Sequence, residues 1–242
     1  SISSVSVVSQ PIPVEFLSVL GVFLVFFMVT GDQVWGLSGA VVSYFSIFGG
    51  KEQGVMVSLE TPVCEFDAAV PDFELADVDG VLWTPERLRG EKGLLVMFIC
   101  NHCPYVKAIR ERLVRDTAAL KAMGLNSVAI MSNDSAQYEE DSPENMRKIA
   151  AQFKFPFPYL VDESQAVAKA FGAVCTPDFF GYNADLALQY RGRLDESRKQ
   201  TAADGVRREL FEAMSQVVET GRGPAQQIPS MGCSIKWKGE AA

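Results

Sequence analysis

An α/β fold with a central mixed sheet is predicted by three features of the sequence. Leu94 to Ile99 is an unbroken apolar run, as a strand buried on both faces requires. A helix-periodic segment and a second apolar run, Asn126 to Met131, follow it. Together they make a strand–helix–strand unit with parallel pairing and a right-handed crossover. Phe179 to Tyr182 and Ala187 to Gly192, joined by Asn183-Ala184-Asp185, read as an antiparallel hairpin, so the sheet is mixed.

The elements follow in order. Pro71 to Leu75 alternates apolar and polar residues and runs into Asp77-Val78-Asp79-Gly80, a strand entering a hairpin turn. Thr84-Pro85-Glu86 starts one helical turn, with Thr as cap and Pro at the first position. After Pro104 the apolar residues Val106, Ile109, Leu113, Leu120 and Met123 recur at helical spacing, and Gly124 ends the helix. Asn133 to Asp141 is a polar, acidic loop. Ser142-Pro143-Glu144 opens a helix to about Phe153; Phe157 to Val161 is a strand; Ser164 to Phe171 is a short helix closed by Gly172. Asp195 to Ala203 reads as a charged surface insertion. Asp204 is the expected cap of a last helix whose face is Val206, Leu210, Met214 and Val217. Residues 221–242 form a tail.

Composition narrows the function. The net charge of −8, with no Lys/Arg cluster, argues against a nucleic-acid partner. Five cysteines are too few, and odd in number, for a secreted disulfide scaffold. Working thiols in a reducing, cytoplasmic setting are the expectation.

Residues 1–55 differ from the rest: Glu15, Asp32, Lys51 and Glu52 are their only charged side chains. Phe16 to Val29 is fourteen residues without a charge, short of the roughly 20 needed to span a bilayer. The stretch has neither the basic flank of a signal peptide nor the Lys/Arg asymmetry that orients a span. Two readings stand: a membrane-associated or export segment, which would anchor or export the protein, or residues outside the working protein with translation starting at Met56. The missing flanks favour the second.

The chemistry is concentrated at Cys100-Asn101-His102-Cys103-Pro104, where the buried strand hands over to the helix. A helix N-terminus offers unpaired N–H groups and partial positive charge, which favour a thiolate, the form that attacks disulfides. The expected roles are Cys100 as the thiolate, His102 and Asn101 as its tuning neighbours, and Cys103 as the thiol that closes the Cys100–Cys103 disulfide. Zinc is disfavoured, because Cys64, Cys175 and Cys233 are scattered singly and a structural site needs four ligands. No metal and no cofactor beyond the redox-active Cys100–Cys103 pair is expected.

The order strand, CxxC helix, strand, helix, Thr-Pro, hairpin, helix resembles the thioredoxin fold from about Pro71 to Glu219. PDFELADVDG and FPYLVDESQAVAKAFGA look like the AhpC/TSA redoxin branch, which holds the peroxiredoxins and the ResA/TlpA-like oxidoreductases. CNHCPYVK with SMGCSIKWK is similar to a bacterial group of thioredoxin-family proteins. The resemblance implies a thioredoxin-like three-layer α/β/α fold with redoxin-type insertions. It implies a cis-Pro177 facing the dithiol, with Thr176 offering its backbone to a docked substrate segment. It also implies a disulfide-bearing protein or small-thiol partner and a thiol reductant, with a membrane involved only if residues 1–50 are a real anchor.

Departures qualify the activity. Ile99 stands where thioredoxins carry Trp, and the strand Leu94 to Ile99 lacks their buried acid, so that role is empty or filled from elsewhere. His102 matches strongly oxidising relatives. The peroxiredoxin pattern Pro-x-x-x-Thr-x-x-Cys, aligned on Cys103, meets Val96 and Cys100 instead of Pro and Thr. The expected function is a thiol–disulfide oxidoreductase; a thiol-dependent peroxidase and a non-catalytic redox sensor or binding module are the alternatives. Cys175 is either a third redox thiol or a small core residue. Cys233, in a mobile-looking tail, either resolves a mixed disulfide, pairs with Cys64, or has no redox role.

Overall fold

The computed structural model describes residues 58–239 other than Gln137 and Thr201. Residues 1–55, with the alternatives raised for them, lie outside the described residues. No helix among the described residues is long and apolar enough to cross a membrane.

The chain opens with β1 (Ser58–Glu60) and the hairpin β2 (Leu75–Ala76) and β3 (Leu82–Trp83). Asp77 sets the hairpin turn: its carboxylate accepts the Asp79 and Val81 N–H groups and the Trp83 indole N–H, each at 2.9 Å. The strand is shorter than the alternating pattern suggests, because only Leu75 and Ala76 find partners across the turn. Helix α1 (Pro85–Leu88) starts as predicted, with Thr84 accepting the Arg87 N–H.

β4 (Gly93–Phe98) is buried throughout and leads to α2 (Pro104–Ala122) and then β5 (Leu125–Met131). Gly93 is required at its position: φ is +138° and a Cβ there would sit 2.1 Å from the Tyr182 carbonyl oxygen. A 3₁₀ turn (Glu139–Asp141) precedes α3 (Pro143–Phe153), which Ser142 caps. Next come β6 (Tyr159–Val161), α4 (Ala166–Phe171), β7 (Cys175–Thr176), β8 (Asp178–Tyr182) and β9 (Leu188–Tyr190). The chain closes with α5 (Glu209–Thr220) and β10 (Met231–Ser234).

Five strands form the central sheet in the order β6-β5-β4-β8-β9. β4, β5 and β6 run parallel, while β8 and β9 run antiparallel to their neighbours. Alternation along β4 sorts its side chains into two layers. Leu95 and Met97 pack with Val106, Ile109, Leu113 and Leu120 of α2 and Leu210, Met214 and Val217 of α5. Leu94, Val96 and Phe98 pack with Leu88 of α1 and Val167, Ala168 and Phe171 of α4. Helices therefore cover both faces, giving the three-layer α/β/α architecture expected of the sequence.

Three local expectations fail. The last helix begins at Glu209, so neither an Asp204 cap nor Val206 belongs to it. Gly205, at φ +77°, turns the chain, and Arg208 is held at the helix entry by Asp116, 2.7 Å away. The insertion after Asp195 is not wholly superficial, because Asp195 is buried against Arg112 of α2 at 2.7 Å. Most consequentially, the C-terminal tail is not loose. β10 lies between β1 and β7 in a second, three-stranded antiparallel sheet.

Candidate redox site

β4 delivers Ile99 and Cys100 to its C-terminal end, and Cys103 occupies the N-cap of α2 with Pro104 at its first position. The Thr176–Pro177 peptide, which is cis, faces them from the end of β7. The Cys100 Sγ lies 3.4 Å from the Thr176 hydroxyl, and the Cys103 Sγ lies 3.1 Å from the Thr176 carbonyl oxygen. Both cysteines are reduced and both are buried.

A third sulfur joins them. Register places Cys233 of β10 directly opposite Thr176 of β7, and its thiol hydrogen-bonds the Cys103 sulfur. The idea of a mobile Cys233 is therefore corrected: the residue is buried in a strand. Cys64 packs against the other core layer, so a Cys64–Cys233 pair is not what the fold assembles.

The two thiols of the pair are shifted in opposite directions. Complete burial pushes the Cys100 thiol well up, and its bond to Cys103 and the nearby Asp141 carboxylate push it the same way. The neighbouring Cys100 and Cys233 thiols push the Cys103 thiol below the ordinary range. The Thr176 carbonyl, which accepts the Cys103 S–H at 3.1 Å, favours the protonated form. Burial thus favours the protonated form of Cys100, whereas the sulfurs around Cys103 favour its thiolate form. Cys103, not Cys100, occupies the N-cap of α2.

On the opposite flank is an acid that sequence reasoning did not name. Asp141 is fully buried. Its Oδ1 accepts the Asn101 N–H at 2.7 Å and the His102 N–H at 3.2 Å. Its Oδ2 lies 2.6 Å from His102 Nδ1 and accepts the Asn133 amide at 3.0 Å. A carboxylate can only accept here, so Nδ1 carries the hydrogen. The buried Nε2 has no hydrogen-bond partner. The ring also stacks on Tyr138, with centroids 4.1 Å apart.

The one clue in sequence was the missing acid in the central strand beside an acidic loop. Nothing in the local pattern distinguishes Asp141 from Glu139 or Glu140. Asn101 is placed as a strut: its side-chain amide donates to the Glu140 carbonyl at 2.8 Å. Arg110, on the buried side of α2, approaches the Asn101 carbonyl at 3.4 Å.

Cys100, His102 and Asp141 place ligand atoms within 4.8 Å of one another, the one such group of three or more among the described residues. Two of the three already bond each other directly, so the cluster is in the first place an acid–imidazole pair beside a thiol. A solvent-open groove runs along Pro177, with an apolar wall of Tyr105, Ile109, Leu194, Ile228 and Met231. It offers a ligand an approach to the cis-proline face.

The model of the AhpC/TSA family matches residues 67–197, more than half of the chain and all of the dithiol–proline region. The chain belongs to the AhpC/TSA family. Two solved structures are similar over nearly their whole length. An uncharacterized conserved protein from Geobacillus kaustophilus is 44% identical, covering 77% of this chain and 99% of that one, with a TM-score of 0.72. A hypothetical protein from Sinorhizobium meliloti 1021 is 37% identical, covering 75% and 99%, with a TM-score of 0.71. No curated protein matches the chain.

Within this AhpC/TSA domain Cys175 stands apart from the other sulfurs. It neighbours Thr176 along β7, so its side chain leaves the opposite face of the strand. It is fully buried, its Sγ lies 3.6 Å from the Pro177 carbonyl, and burial pushes its thiol well up. Cys175 therefore fits the core reading of the two offered for it.

Proposed function

We propose that this AhpC/TSA-family protein is a thiol–disulfide oxidoreductase whose electrons pass through the Cys100–Cys103 pair. The observation that carries the reading is the convergence of both sulfurs on Thr176, one on its hydroxyl and one on its carbonyl, beside Pro177. Its partner is a disulfide-bearing protein or small thiol, and a thiol reductant restores the pair.

Burial favours a proton on Cys100, and the lowered Cys103 sulfur beside it is the base that takes this proton. Moving that proton to Cys103 makes Cys100 the nucleophile. Its thiolate attacks one sulfur of the partner disulfide; the Cys100–partner bond forms, the partner's own S–S bond breaks, and the second sulfur leaves as thiolate. Cys103 then loses its proton and attacks Cys100. The internal disulfide closes and the first partner sulfur departs, so the partner gains the two electrons that the dithiol loses. His102, oriented through Nδ1 by Asp141, keeps Nε2 available to take the proton released before closure. Run backwards, the same steps oxidise a partner dithiol.

Peroxidase chemistry is the runner-up, since the family allows it. Aligned on the family pattern, Cys103 takes the position of the peroxide-reducing cysteine, yet Cys100 stands where the orienting hydroxyl would be. Insulin-disulfide reduction with dithiothreitol tests the proposal. The wild type accelerates it, and Cys100→Ser and Cys103→Ser each return it to the uncatalysed rate. Full activity in either variant would overturn the proposal, and peroxide consumption without insulin reduction would replace it with the peroxidase.

A further inference from the structure

We propose that Cys233 is a third redox thiol, which takes Cys103 over from Cys100 by internal disulfide exchange. The inference rests on the Cys100–Cys103 reading above and extends it to the C-terminal strand.

Three observations place Cys233 for that task. First, residues opposite one another in an antiparallel pair project to the same side, with Cβ atoms about 4.5–5.5 Å apart. Cys233 therefore shares the face of Thr176, the face whose hydroxyl meets the Cys100 sulfur. Second, the approach of β10 to this loop is built in. A Cβ on Gly232 would lie 2.0 Å from the Thr176 carbonyl oxygen, so only glycine lets the strand close on the dithiol. Third, the strand is pinned there from its other end. Ser230 donates its hydroxyl to the Pro177 carbonyl at 2.8 Å, its carbonyl accepts the Thr61 N–H, and its own N–H donates to the Thr61 hydroxyl. Cys103 thus stands between two sulfurs, Cys100 on its own loop and Cys233 on the tail.

The exchange balances without an outside oxidant. Starting from the Cys100–Cys103 disulfide, Cys233 gives up its proton and its thiolate attacks the Cys103 sulfur. The Cys103–Cys233 bond forms and the Cys100–Cys103 bond breaks. Cys100 leaves with the electron pair and takes up a proton, leaving the protein's total oxidation state unchanged. The outcome is a reduced Cys100 beside Thr176 while the oxidising equivalent waits on the tail side.

Tryptic mapping separates the possibilities, because Cys100 and Cys103 lie in one peptide, residues 93–107, and Cys233 lies in another, residues 223–236. The full chain carrying Cys100→Ser is oxidised with diamide, alkylated without reduction and digested. The expected result is a stoichiometric cross-link between the two peptides, lost in Cys100→Ser/Cys233→Ser. Wild type treated alike shows the 93–107 peptide two hydrogens lighter, together with some of the cross-linked form after acid quench. An internal disulfide in wild type with no cross-link in either protein overturns the relay and leaves the dithiol standing. Should Cys100→Ser not fold, the wild-type arm decides alone. Cross-linking of Cys103 to Cys64 or Cys175 instead also overturns it.

Discussion

The two flanks of the dithiol are built from opposite kinds of chemistry. On the loop side Asp141 is wholly buried, yet four N–H donors surround its carboxylate: two backbone groups, one amide and one imidazole. On the tail side Cys103 meets the Thr176 carbonyl and two thiols. Asp178, one residue after Pro177, extends the contrast. It is as deeply buried as Asp141, but only its Oδ2 is met, by Arg191 at 3.1 Å and the Val174 N–H at 3.3 Å, and its Oδ1 has no partner. Burial pushes it up to about 6 in spite of the arginine. The two acids differ in donors rather than in depth: four N–H groups meet Asp141, whereas one oxygen of Asp178 is left bare.

The comparison can be broken most severely at Asp141. Asp141→Ala leaves four buried donors unmatched, at roughly 1–3 kcal/mol each before relaxation. Denaturant unfolding should show the variant barely folded, whereas Asp141→Asn should fold, with a net loss of about 2–3 kcal/mol, and shift the pH profile of thiol exchange. A loss below about 1 kcal/mol in the alanine variant would mean that the acid does not hold the loop.

Asp178 sharpens the same contrast through pH. Its folded-state pKa lies above the ordinary 3.8, so the folded chain binds the proton more tightly than the unfolded chain. Its contribution to stability is therefore greatest below pH 3.8 and is lost as pH rises through about 6. Two units correspond to about 3 kcal/mol. The unfolding free energy of wild type relative to Asp178→Asn should fall by about that much between pH 4 and 7; a flat or rising difference would contradict the assignment. The smallest effect belongs to Glu140, the exposed neighbour of Asp141, whose carboxylate meets Lys107 at 3.1 Å. Glu140→Gln should stay within about 0.5 kcal/mol of wild type by the same unfolding measurement.

Most of the scaffold was legible because it is written in local patterns: an apolar run for β4, helical spacing after Pro104, and Ser142 and Thr84 as caps. The Asp204 cap misled because a good capping side chain counts for nothing when the next residue, Gly205, adopts a left-handed turn. At the site, the CxxC at a strand–helix junction could be read directly. Asp141 could not, since it lies about forty residues from His102 and looks like its acidic neighbours. Cys233 could not either, because Met231 to Ser234 become a strand only by pairing with Ser58–Glu60 and Cys175–Thr176. The lowering of the Cys103 thiol depends on Cys233 of β10, a long-range contact that no local pattern shows.

Equilibration of the full chain against graded glutathione buffers, followed by mass analysis of the 93–107 peptide, tests the dithiol most directly. The account predicts one two-electron transition, in which that peptide loses two hydrogens, absent from Cys100→Ser and Cys103→Ser. A peptide that keeps both hydrogens at every ratio, in a protein that still reduces insulin, would contradict it.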